Sequence, residues 1–368
     1  MSALFYIAEA AKGICQHSLT AASRASRCGM NPFLLDCSAN YLYLLTSAAV
    51  SDGVKIKNFY CMEVIMDYRK TDDYEEFAQI LLEIVNEELN RGVKVSLNSV
   101  TKNNGVILTG MTFSQDGINA SPTIYLEQYY DEYLRGKSID SIAADLISAY
   151  SHNKLDESID VDFFSDYKRV KEKLFCKVIN RKLNEEMLKD LPYEEFMDLA
   201  IVPYCRLEKF GCGQASILVK NAHLKMWNIS AEKILEDAKE NTYNNMDFSL
   251  TEISKLILDM ADLEEGCEMF DNMNFPMYVV CNKERNNGAV AMIFPALLER
   301  FAKSLKDDYC IIPSSVHELI IIPLEAAGEC DGYGEMIRSV NENELSREEI
   351  LSDHAYCYKI SEGLLSIP

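Results

Sequence analysis

The chain has 368 residues, 48% of them hydrophobic and including 20 Tyr and 15 Phe, which is enough apolar material for two or three domains with sizeable cores. Its 58 acids against 36 bases leave a net charge of −22, which speaks against docking to phosphate backbones or anionic lipid, because both depend on clustered Lys and Arg. Twelve Cys without one CxxC pair exclude zinc-ribbon and thioredoxin-like spacings, and no run approaches the roughly 18–20 apolar residues of a membrane helix.

Several Cys fall in apolar runs such as Phe175-Cys176-Lys177-Val178, where Cys acts as a small buried hydrophobe, so a reducing compartment is expected. The start, Met1 to Lys12, lacks a basic n-region and is broken by Glu9 and Lys12. The expected location is the cytoplasm, the expected partner is another protein, and neither nucleic acid nor membrane is expected.

Residues 1–65 carry four acids and five bases, so the whole negative balance lies beyond them. They show no sustained period and are read either as a helical N-terminal extension or, the favoured reading, as sequence ahead of a true start at Met66 (or Met62), before Asp67-Tyr68-Arg69-Lys70-Thr71-Asp72-Asp73. From Asp73, Phe77, Ile80, Leu81, Ile84, Val85 and Leu89 recur at helical spacing, with Gly92 expected as the C′ residue. Val93–Leu97 alternates as a half-buried strand. Lys102-Asn103-Asn104-Gly105 then predicts a hairpin turn into Val106–Phe113, since Asn-Gly supplies the positive φ that tight turns need. A strand at Pro122–Leu126 and helices at 127–135 and 138–150 complete a first unit, 66–155.

The second region, 156–368, opens with a short helix at 163–172, a strand at Leu174–Ile179 and a helix at 184–191. Two stretches of similar order follow, 196–245 and 275–325, which suggests an internal duplication. In the first, Asp198–Tyr204 leads through Gly211-Cys212-Gly213 to a strand at 215–219, then Trp227 and a helix from Ser230. In the second, Met277–Val280 leads through Asn286-Asn287-Gly288 to a strand at Ala289–Phe294 and a helix at Pro295–Leu305. Strands at 309–313, 318–323, 356–360 and 363–367 and a helix near 334–341 close the chain. The expected fold class is α+β, with mixed, largely antiparallel sheets and interspersed helices in two or three packed units.

One cluster invites a catalytic reading. Pro313-Ser314-Ser315-Val316-His317-Glu318 sets hydroxyls, an imidazole and a carboxylate between two apolar strands, and Asp353 and His354 could complete it. Alternation along a strand sends His317 and Glu318 to opposite faces, and Ser-Ser is also an ordinary turn former. With five His in the chain and no two of His223, His317 and His354 at i, i+3 or i+4, no metal site is expected, and no cofactor motif is present.

Met66 to Ile367 resembles an uncharacterised bacterial family, domain of unknown function 5688. The resemblance is carried by Lys102-Asn103-Asn104-Gly105-Val106, Ser121-Pro122-Thr123-Ile124-Tyr125-Leu126, Asp198-Leu199-Ala200-Ile201-Val202, Ala238-Lys239-Glu240-Asn241-Thr242 and Pro313–Glu318. It implies no activity, cofactor or site residue at any of these positions. The leading expectation is therefore a non-enzymatic interaction or regulatory module. The alternative is a hydrolase built on Ser314, Ser315, His317 and Glu318, with Asp353 and His354.

Overall fold

Asp73 starts the first helix, α1 (Tyr74–Glu88), by accepting the Glu76 N–H on its side chain, and Phe77, Ala78, Leu81, Ile84 and Val85 form its buried face. The computed structural model describes residues 71–89, 92–154, 162–207, 216–255 and 276–368. The expectations for residues 1–65 and for the Gly211–Gly213 turn lie outside those residues. α1 ends at Leu89, whose extended φ and ψ of −80° and 146° break the helix. Gly92 does not supply the left-handed C′ residue expected of it; its carbonyl instead accepts from Asp116 N at 3.4 Å, beyond the end of the first hairpin.

That hairpin joins β1 (Val93–Thr101) to β2 (Ile107–Gln115), paired from Val93↔Gln115 to Thr101↔Ile107. Asn104 (φ 58°) and Gly105 (φ 67°) turn the chain, as the Asn-Gly signal predicts. β3 (Thr123–Tyr125) adds to β2, and α2 (Glu127–Leu134) and α3 (Ile139–Asn153) follow. Val95, Met111 and Phe113 meet Phe77, Leu81, Ile142 and Leu146 in one core, with Phe113 stacked on Tyr150 at 4.6 Å.

A second sheet is built on β6 (Leu199–Arg206), which pairs antiparallel with β4 (Leu174–Asn180), β5 (Glu194–Phe196) and β7 (Ser216–Leu218). α4 (Tyr167–Lys171) precedes it, α5 (Glu185–Leu188) connects β4 to β5, and α6 (Asn221–Trp227) and α7 (Ala231–Asn245) follow β7. Leu174, Cys176 and Val178 face α7, while Ile179 packs with Leu188, Leu191, Ala200 and Val202 on the other side. Trp227 is buried, its indole N–H donating to Phe164 O at 2.7 Å.

The third sheet has six strands in the order β13-β12-β10-β11-β9-β8: β8 (Phe248–Glu252), β9 (Tyr278–Asn282), β10 (Tyr309–Pro313), β11 (Leu319–Pro323), β12 (Tyr356–Lys359) and β13 (Leu364–Ser366). Its central strands are apolar at every position because both faces are covered. Tyr309, Ile311, Leu319 and Ile321 join the core of the second sheet, whereas Cys310, Ile312, Ile320 and Ile322 pack with α10 (Gly334–Asn343). α8 (Pro295–Leu305) begins with its proline in the first turn, and α9 (Leu324–Ala327) follows β11.

Among the described residues every pairing in the three sheets is antiparallel, and the fold is α+β. Residues Gly288–Ile293 form a 3-10 helix, not the expected strand, so the stretch 275–325 lacks the second strand that β7 supplies in 196–245. Ala289 to Met292 are all fully buried, and a short run apolar on every side gives no period by which to tell strand from helix. Among the described residues no helix is long and apolar enough to cross a membrane.

Candidate functional site

The connection from β10 to β11 is a tight turn held by its own residues. Ser315 N donates to Glu318 O at 3.2 Å, and the Ser315 hydroxyl accepts from His317 N at 3.0 Å, the local pattern by which Ser favours turns. Ser314 Oγ donates to Glu318 Oε1 at 3.4 Å. Both serines are buried, at 1% and 6% exposed. β11 begins at Leu319, so His317 and Glu318 lie in the turn rather than on a strand, and strand alternation does not set their directions.

The His317 imidazole has partners other than the hydroxyls. Its Nδ1 accepts from Asn287 N at 3.1 Å, which leaves the proton on Nε2, pointing toward Glu349 Oε1 at 3.7 Å. Burial, then the neighbouring Lys177 charge, hold this imidazole below its ordinary value, whereas burial pushes the Glu318 and Glu349 carboxyls up. Gly288 makes the approach possible, since a Cβ there would stand 2.4 Å from the His317 carbonyl oxygen. The turn thus gathers Ser314, Ser315, His317 and Glu318, but no hydrogen bond among the described residues joins either hydroxyl to the imidazole.

His354 and Asp353 belong to a different network. Asp198, just ahead of β6, accepts from Tyr356 Oη at 2.8 Å on one oxygen and from Ser352 Oγ and His354 Nε2, both at 3.1 Å, on the other. His354 Nδ1 faces Ala355 O at 3.0 Å. Both ring nitrogens therefore face acceptors, an arrangement that favours the doubly protonated imidazolium. The Asp198 bond raises His354 above its ordinary value, and although burial works against the Asp198 charge, the bonds from His354 and Tyr356 outweigh it and hold that carboxyl low. Asp353 turns elsewhere, accepting from Asn341 Nδ2 at 2.8 Å.

Asn side chains fasten the same C-terminal segment from the other side. At the hairpin tip, Asn104 Nδ2 donates to Arg347 O and Ile350 O at 2.8 and 2.7 Å, and Asn103 Nδ2 to Glu348 O at 2.7 Å. Asn104 and Asn184 exchange hydrogen bonds of 2.7 and 2.8 Å, and Asn180 Nδ2 reaches Leu351 O at 3.0 Å. Segment 347–356 is where the hairpin, the second sheet and the Ser314 turn meet. Val316 N ties the turn to it by donating to Glu349 O at 3.0 Å.

Residues 74–360 match the model of a family of unknown function, DUF5688. The chain belongs to this family. The matched stretch starts with the first residue of α1 and ends just past β12, so the DUF5688 unit holds the hairpin tip, Asp198 and the Ser314 turn together. No curated protein and no solved structure matches the chain.

The DUF5688 unit also carries an open groove of about 740 Å³ beside the loop from β4 to β5. Leu188 and Leu191 form part of its wall, and Arg181, Lys182 and Lys189 stand along it with Glu185 and Glu195. Arg181 pairs with Glu195 at 2.5 Å and Lys189 with Glu186 at 2.6 Å, while Lys182 has no ion pair among the described residues. Tyr193, 38% exposed, lines the groove, and Leu183, 46% exposed, neighbours Lys182 in the chain. The backbone N–H of Asn221, the first residue of α6 and part of the groove lining, donates to Asp190 O at 2.8 Å. Sequence reasoning singled out neither the groove nor Asp198. Asp198 had one signal: a carboxylate placed directly before a strand that is apolar at nearly every position.

Proposed function

We propose that this protein is a non-enzymatic interaction module of the cytoplasm whose groove at Arg181–Tyr193 receives a segment of another protein. The observation that carries this reading is the groove's composition. On a chain of net −22 it gathers three cations against two acids around an exposed tyrosine, with the largely buried Leu188 and Leu191 in its wall. Tyr and Arg are the side chains most often found at the energetic centres of protein interfaces, and an unpaired Lys182 favours a partner segment with an acidic residue beside an apolar one. Against the hydrolase alternative stand the burial of Ser314 and Ser315 and the use of both hydroxyls within their own turn, since a nucleophile must be reachable and must meet its base.

The test is affinity purification from the native host with the unchanged protein and with Tyr193→Ala and Lys182→Glu variants, followed by reconstitution with the purified partner. The expected result is a partner recovered by the unchanged protein and lost by both variants, in the extract and with purified components alike. Recovery of nothing but the protein itself, or of the same set by all three, would sink the reading.

A further inference from the structure

β5 is an open edge of the second sheet. Among the described residues its one strand partner is β6, and Tyr193, Glu194 and Glu195 are all exposed. The direction of its backbone groups follows from the hydrogen bonds along β6. Arg206 N donates to Lys173 O at 2.8 Å and Arg181 N to Asp198 O at 3.1 Å, so the even-numbered residues along β6 turn their backbone groups toward β4. Val219 N donates to Pro203 O at 3.1 Å, so the odd-numbered residues turn theirs toward β7 and β5. Leu199 and Ile201 are therefore the residues that exchange hydrogen bonds with Phe196 and Glu194. Glu195, between them, sends its N–H and its carbonyl out of the sheet, where no described residue bonds to them.

This edge adjoins the groove. Glu195 stands opposite Ala200, and Ala200 opposite Ile179, so the Glu195 side chain lies on the face that Leu188 and Leu191 cover. Tyr193 and Glu195 both line the groove there. An antiparallel strand laid along β5 would bond to Glu195 through a residue whose side chain points to that same face, and every second residue of it would follow. The charge selects what arrives. Lys182 has no ion pair among the described residues, and Lys189 pairs with a Glu186 that is 88% exposed, a surface contact that an incoming carboxylate exchanges at little cost. A second copy of the chain is the wrong occupant, because two β5 edges meeting antiparallel set Glu194 and Glu195 against the same acids, on chains of −22 each.

We infer that an extended acidic segment of the partner protein adds as an antiparallel strand to the free edge of β5, bonding to the Glu195 backbone and placing alternate side chains, an acid and an aliphatic residue, in the Arg181–Tyr193 groove. The inference rests on the groove being a protein-binding site and names how it binds. Backbone bonds supply affinity without regard to sequence, and the groove supplies the selection.

Titration calorimetry with the full chain tests this, the probe being a blocked peptide of two Thr-Asp-Thr-Val repeats, which offers Asp and Val on one face of a strand and Thr on the other. Two further peptides carry N-methyl groups, one on the Asp and Val amides, which point at β5 when their side chains enter the groove, and one on the Thr amides, which point away. The expected result is binding of the plain and the Thr-methylated peptides, weakened at least about tenfold by methylation of the Asp and Val amides, by Glu195→Pro and by Lys182→Glu, while Glu195→Ala, which keeps the N–H, binds no more weakly than the unchanged protein. Equal binding of all three peptides overturns strand addition and leaves the groove as a binding site. Absence of binding by the plain peptide also overturns it, and a partner protein recovered by the unchanged chain but lost by Tyr193→Ala separates that failure from failure of the groove reading. A dimer that Glu195→Pro turns into a monomer makes the occupant a second copy and overturns the inference as well. Should Glu195→Pro fail to fold, the methylated peptides carry the comparison on the unchanged protein.

Discussion

Replacing Asp198 with Asn tests whether segment 347–356 is held by charge or merely by packing. The substitution keeps the size of the side chain and one acceptor for Tyr356, but it presents an amide NH2 where Oδ2 now accepts from His354 and Ser352. A hydrogen bond to a charged group contributes about 1.5–3 kcal/mol and a neutral one about 1 kcal/mol. Asp198 and His354 are each about a third exposed (31% and 33%), so solvent screening brings the expected total to the low end, about 2 kcal/mol. The readout is hydrogen exchange of the amides in 347–356, because a loss of about 2 kcal/mol in local stability speeds exchange by roughly 30-fold. The pH dependence has a definite sign. His354 is raised from 6.5, so its share is complete below that value and is lost as pH climbs through its folded value. Asp198 is depressed from 3.8, so its share is present above that value and is lost as pH falls through its folded value. The gap between Asp198→Asn and the unchanged protein should therefore be widest between about pH 4 and pH 6.5 and narrow toward pH 9. A gap that is flat with pH, or exchange rates that agree within twofold, would refute the reasoning.

Gly288→Ala places a methyl 2.4 Å from a backbone carbonyl, which cannot swing aside as a side chain can, so a loss of about 2–3 kcal/mol is expected, read as a lower melting temperature with weaker protection of the 314–318 turn. Asp237, fully buried, binds Tyr167 Oη at 2.5 Å and the Lys171 and Lys233 ammonium groups at 3.0 Å, and these bonds outweigh burial in keeping its carboxyl low. Asp237→Asn should cost about 2 kcal/mol near neutral pH, with the melting-temperature gap closing as pH falls below about 3.8, where the native carboxylate also becomes protonated; a gap that persists in acid contradicts the assignment.

The elements legible in the sequence are those whose ends carry their own chemistry. α1 is announced by Asp73 and a clear apolar face, α8 by Pro295, and the first hairpin by Asn104-Gly105. The run Ala289–Phe294 has no such marker, and burial on all sides erased its period. β5 was missed because Glu194 and Glu195 present two exposed acids in a three-residue strand. The Ser314–Glu318 cluster was visible because its members are adjacent, yet adjacency concealed their roles. The bonds that fix His317 and His354 come from Asn287 and Asp198, 30 and 156 residues upstream, and nothing in local spacing encodes them.

The fastening of segment 347–356 also bears on how the chain is made. The side-chain donors at Asn103 and Asn104 find their carbonyl partners 243 to 246 residues later, although the first sheet has a core of its own made from residues 77–150. The Asn184 contacts become available first, and the bonds from Asn103 and Asn104 to segment 347–350 cannot form until the chain has grown past residue 350. A product cut short before that point would lack those carbonyl partners, so its hairpin tip should be cleaved faster in limited proteolysis.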